Sequence, residues 1–79
     1  MSEQITACQL KPGQVAIITG YKSDLKSKSR LVEMGFLPGT KIRFIKQAIF
    51  RGAIEFKIRD YYVSLRLEDS HNIIIEKIY

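Results

Sequence analysis

Seventy-nine residues allow one small domain, and a chain that is 46% apolar and 27% charged has the composition of a folded protein rather than a disordered one. No apolar run is long enough to cross a bilayer as a helix, and Met1-Ser2-Glu3-Gln4 has neither the basic nor the apolar region of a signal peptide, so the chain is expected to stay in the cytosol. Thirteen basic against eight acidic residues give a net charge of +5, which suits nucleic acid, an anionic membrane or an acidic protein face and selects none of them.

Ile5 to Leu10 is a short lead-in, strand-like or a single turn, that brings Leu10 over one end of the core. Pro12-Gly13 makes the next turn. Gln14 to Tyr21 follows as a strand, with Val15, Ile17 and Thr19 on one side and Ala16 and Ile18 on the other. Apolar residues on both faces point to a strand covered on each side over part of its length. Gly20 breaks or bulges its end. Ser23 or Asp24 then caps a helix running to Met34, with Leu25 and Val32 two turns apart on its inner face. Lys22, Lys26, Lys28 and Arg30 gather positive charge here, as either a solvated helix face or a docking patch.

Arg30 to Thr40 packs a helix end, a turn and a strand start into one stretch. Leu31 and Met34 share a helix face, and Gly35 stands where a left-handed C-cap belongs. Phe36 and Leu37 can fold back over the last turn. Pro38-Gly39 fits the centre of a type II turn, because Pro presets φ and Gly accepts a positive one. Thr40 to Phe50 is the longest strand candidate, with Ile42 and Phe44 inward, Lys41 and Arg43 outward, and a bulge near Ile45. Arg51-Gly52 turns the chain. Ala53 to Arg59 alternates strictly, Ile54, Phe56 and Ile58 against Glu55, Lys57 and Arg59. After a bend at Asp60, Tyr61 to Leu65 is a short strand, Arg66 to His71 suits one 3₁₀ turn, and Ile73 to Tyr79 closes the chain as a strand. Five strands, one helix and the turns between them make a small closed barrel the economical fold, since closure removes exposed edges.

The run Arg30-Leu31-Val32-Glu33-Met34-Gly35-Phe36-Leu37-Pro38-Gly39-Thr40 resembles the hallmark of the FeoA family, ferrous iron transport protein A: Arg-Leu, a short gap, Leu/Met-Gly, then Pro-Gly-Thr. Leu10-Lys11-Pro12-Gly13 upstream and Ser64-Leu65-Arg66 followed by Glu68 downstream agree with it in order, so the resemblance covers nearly the whole of 1–79, taken as a single domain. It implies a mainly β, SH3-like barrel of about five strands with one short α-helix inserted after the first strand. Arg30, Leu31, Met34, Gly35, Pro38, Gly39, Thr40, Leu65 and Arg66 would be its structural residues. The function it implies is that of a non-enzymatic cytosolic accessory of bacterial ferrous iron uptake, docking on the GTPase part of the FeoB membrane transporter. The same barrel also forms the C-terminal domain of repressors of the diphtheria toxin repressor type, which keeps a nucleic-acid-binding or repressor-like barrel as the alternative. Glu55, Glu68 and Asp69 interrupt a continuous basic surface, and a helix-turn-helix is lacking, so nucleic acid is the less favoured partner. The sequence departs from the family at Gln47 to Ala53, where a prolyl loop is usual, and at Asp60-Tyr61, where Gly-Tyr is usual.

Catalysis finds little material. Cys8 stands alone, so no intramolecular disulfide forms, and it serves most simply as a small apolar residue. Cys8 and His71 are the only soft or borderline metal ligands, and nothing in their spacing pairs them, so neither a metal site nor a cofactor is expected. No glycine-rich phosphate loop occurs, and one His supports no triad. Surface recognition remains. The expected partner-binding residues are Lys22, Lys26 and Lys28 near the helix, Phe50 and Arg51 at the hairpin tip, and Tyr61, with self-association as a further option. Arg30 is assigned to structure, capping strand carbonyls or pairing with Glu33 or Glu68.

Overall fold

The computed structural model describes residues 4–22, 25–48 and 52–78, the side chains of 25–27 excepted. Six antiparallel strands form one curled sheet: β1 (Ile5–Thr6), β2 (Val15–Tyr21), β3 (Lys41–Ala48), β4 (Ala53–Ile58), β5 (Tyr61–Arg66) and β6 (Ile73–Lys77), in the order β1-β6-β2-β3-β4-β5. The lead-in is both things it was expected to be, a two-residue strand and then a 3₁₀ turn over Ala7–Gln9. That strand raises the count from five to six and places helix α1 (Leu25–Glu33) after the second strand rather than the first. Among the described residues no ladder joins the edge strands β1 and β5. The 3₁₀ turn beside β1 instead meets a one-turn helix, α2 (Leu67–Ser70), that follows β5.

Alternation in the strands builds the core. Ile54, Phe56 and Ile58 of β4 are each buried to within 1% of completely, facing Ile42 and Phe44 of β3. The Phe56 ring stands edge-on to both Phe36 and Phe44, at centroid distances of 5.8 and 5.7 Å, the arrangement that ring quadrupoles favour. Register slips between Phe44 and Lys46, so Ile45 bulges as expected, and a second slip between Ile18 and Gly20 bends β2. Both bulges help the sheet curl.

Two turns clamp the β2–β3 pair from opposite ends. At one end the Pro12-Gly13 turn closes with Gln14 N–H donating to the Lys11 carbonyl at 2.9 Å, and Gly13 N–H reaches the Phe44 carbonyl at 2.7 Å. At the other, Thr40 N–H donates to the Leu37 carbonyl at 3.0 Å and Gly39 N–H to that of Ile18 at 2.7 Å.

Two expectations need correction. Val32 does not face inward: it is 39% exposed, because Leu31 takes the position that points at the sheet and is wholly buried. A residue adjacent on the helix is turned by about 100° and must lie off that face. The segment after β5 is α-helical rather than 3₁₀, since His71 N–H reaches back to the Leu67 carbonyl four residues before. Leu25 was paired with Val32, and its side chain lies outside the described residues.

Candidate functional site

The stretch from Arg30 to Thr40 is a structural node. α1 ends in a Schellman cap: Phe36 N–H donates to the Leu31 carbonyl at 2.9 Å and Gly35 N–H to that of Val32 at 3.1 Å, with Gly35 at φ +101°. The two residues bridged by the longer loop, Leu31 and Phe36, are both fully buried, which supplies the apolar contact that completes the cap. Two tyrosine hydroxyls then donate to carbonyls on either side of Gly35. Tyr21 Oη reaches the Phe36 carbonyl in a short hydrogen bond, and Tyr61 Oη reaches that of Met34 at 3.3 Å. Pro38-Gly39 follows as the expected turn, with Gly39 at φ +89°.

Arg30 is anchored, but not to the residues expected. One guanidinium nitrogen lies 2.8 and 2.9 Å from the two oxygens of Asp69, so Arg30 ties α1 to α2 through Asp69 and pairs with neither Glu33 nor Glu68. Asp69 is the better partner because its side chain is only 6% exposed and needs a cation, whereas that of Glu68 is 75% exposed and already solvated. Leu65 is a core residue as expected. Arg66 is not buried structure: its side chain is 64% exposed and meets Glu68 at 3.6 Å, a weak surface pair.

Cys8 and His71 also correct the earlier view. Their spacing of 63 residues hides the fact that Cys8 Sγ lies 3.1 Å from His71 Nδ1, with Thr6 Oγ1 at 3.1 Å on the other side of the sulfur. The pair fastens the 3₁₀ turn to the end of α2, where the two sheet edges approach. Among the described residues no third Cys, His, Asp or Glu joins them in a metal-binding group.

The expected docking residues divide. Lys22, Lys28 and Tyr61 are exposed, and the ammonium of Lys28 stands 5.9 Å from the centroid of the Tyr21 ring. Because Tyr21 and Tyr61 both hang from the cap of α1, Lys28 and Tyr61 belong to the same end of the molecule. Burial raises the Tyr21 phenol above its ordinary value of 10.0. Phe50, Arg51 and the side chain of Lys26 lie outside the described residues. The tyrosine-to-carbonyl bonds and the partner of Arg30 leave no local sequence signal beyond an aspartate in a polar turn.

The model of the FeoA domain family matches residues 5–77. The chain belongs to the FeoA family. It is 36% identical over 70 residues to the Fe(2+) transport protein A/Fe(2+) transporter FeoB fusion protein of Porphyromonas gingivalis, an alignment that takes in 89% of this chain and 8% of that relative. The structure superposes on that of a FeoA-like protein from Clostridium acetobutylicum with a TM-score of 0.88 and 23% identity, covering all of this chain and 92% of the other. It also superposes on FeoA of Stenotrophomonas maltophilia complexed with zinc, described as a prokaryotic SH3 domain protein, with a TM-score of 0.76 and 17% identity over 91% of this chain and 89% of that one. The fold is therefore the SH3-like one of FeoA, mainly β with a short helix, and the family links the chain to ferrous iron transport. No helix among the described residues is long and apolar enough to cross a membrane.

Proposed function

We propose that this FeoA-family chain is a non-enzymatic accessory of ferrous iron uptake that works in the cytosol by docking on the GTPase part of a FeoB-type membrane transporter. The observation that carries this reading is the P. gingivalis relative, a fusion that by its name joins transport protein A and the FeoB transporter in one polypeptide. Covalent joining raises the effective concentration of one module at the other, and separate chains with the same roles must supply that proximity by binding. The surface agrees: Arg30, Leu31, Met34, Gly35, Pro38, Gly39 and Thr40 are spent on the fold, so recognition falls to residues around them. Exposed Tyr61 and Lys28 flank the cap and are residue types suited to protein contact.

The test is calorimetric titration of the chain with the isolated GTPase part of the transporter from the same cell, in the nucleotide-free, GDP and GTP-analogue states. Saturable binding is expected, weakened at least tenfold by Tyr61→Ala and unchanged by Tyr61→Phe. No heat at protein concentrations of about 100 μM in any nucleotide state rejects the reading.

A further inference from the structure

Besides the basic residues near α1, a second group of cations shares one surface. Lys41, Arg43, Lys57 and Arg59 line an open groove of about 660 Å³ over β3 and β4, floored by Val15 and rimmed by Leu37. None of the described residues lining it is acidic.

Two features make this arrangement costly to the fold. Arg43 and Lys57 sit directly opposite each other on neighbouring antiparallel strands, where like charges repel. Arg59 has φ +54° in the two-residue turn between β4 and β5, the only residue besides glycines to be left-handed among the described residues. Glycine would fill that position with less strain, so the arginine is held there at a conformational cost.

The lining also specifies the ligand. No aromatic ring lines the groove itself, but the exposed Tyr62 ring stands 5.6 Å from the Lys57 ammonium beside it, so single-stranded nucleic acid is the competing ligand. The cations surround a concave hollow with an apolar floor, whereas a lipid surface is met best by a flat or convex basic face. Leu37 is 42% exposed at the rim, and Val15, although 4% exposed, lies outside the main core cluster and beneath the groove. We propose that the groove receives an extended acidic segment of a protein partner, its carboxylates on the four cations and one apolar side chain against Leu37. The inference rests on the docking reading for the segment's source, which would be the transporter's cytosolic part.

Anisotropy of a fluorescein-labelled oligoglutamate peptide carrying one central Leu tests the groove itself. Saturable binding is expected, weakened at least tenfold by Arg43→Ser with Lys57→Ser, a change that removes a repulsive pair and should leave the fold intact. Arg59→Gly should weaken binding severalfold while melting no lower than the parent, a combination that a merely structural arginine would not give. Replacing the peptide's Leu by Ser should also weaken it. Variants that bind the peptide like the parent overturn the proposal, as does tighter binding of a single-stranded oligonucleotide or phosphatidylglycerol vesicles. The same variants against the transporter's GTPase part separate the two readings. If the parent binds and the Arg43/Lys57 double variant binds equally well, the groove is not the contact. If the parent itself fails to bind, the docking reading falls and the peptide result alone decides the groove.

Discussion

Gly35 answers to two demands at once. Its φ of +101° belongs to a cap that a side chain enters only under strain, and a Cβ built there would collide with Tyr61 Oη. Conformation alone makes Gly35→Ala cost about 1 kcal/mol, and the β-branched Gly35→Val about 1–3 kcal/mol. The colliding atom is the tip of a half-exposed side chain that can turn aside, so denaturant unfolding should show Gly35→Ala losing the conformational figure plus at most the weak Tyr61–Met34 hydrogen bond. In a Tyr61→Phe background, where the colliding oxygen is gone, part of that loss should return; a strictly additive pair would show that the contact is immaterial. Tyr21 offers a second test at this scale. Its phenol is held above 10.0 by burial, so the folded state keeps a proton that the unfolded chain gives up first. Its contribution is complete below pH 10 and is lost as pH climbs through the raised folded value, and Tyr21→Phe should flatten the alkaline end of the stability profile.

Between elements, the tie that matters most is Arg30 to Asp69, because it joins the two helices across 39 residues of sequence. The carboxylate is buried and the guanidinium is 46% exposed, so the pair lies between a surface bridge and a buried one. Arg30→Ala strands the carboxylate and should cost about 1–3 kcal/mol, less than a fully buried pair because water still screens the arginine. Arg30→Ala with Asp69→Asn should recover part of that loss, and a double variant as unstable as the sum of the singles would reject the pairing as the cause. How much of this was legible follows from the range of each force. The strict alternation of Ile54, Phe56 and Ile58 and the caps at Gly35 and Gly39 are local, and the chain displays them as written. Val32 was misplaced because a helix of nine residues offers two plausible apolar faces, and only the sheet beneath chooses Leu31. Asp69 and Arg30, or Cys8 and His71, meet only once the sheet has curled, and no local pattern announces them. The groove was half visible: Lys41 and Arg43 were correctly placed outward, but their alignment with Lys57 is a matter of register.

At the scale of the whole molecule, positive charge is divided between two places with different work to do. Lys22 and Lys28 are exposed near α1, whereas Arg43 and Lys57 stand opposite each other on neighbouring strands beside an apolar patch. Solvated charges act over a distance and mainly set how often partners meet, while charges desolvated in a contact set how long they stay. Stopped-flow measurement of binding to the transporter's GTPase part should resolve the two. Lys22→Ala with Lys28→Ala should lower the association rate at low salt, cost less than about 1 kcal/mol in affinity, and lose its effect as ionic strength approaches 1 M, where the screening length is about 3 Å. Arg43→Ser with Lys57→Ser should instead raise the dissociation rate at least tenfold and keep most of that effect in high salt, because a covered ion pair is screened far less than an open one. The reverse pattern, with the lysine pair governing dissociation and the groove pair only the encounter, would confine the contact to the α1 end around Tyr61 and remove the β3–β4 groove from it.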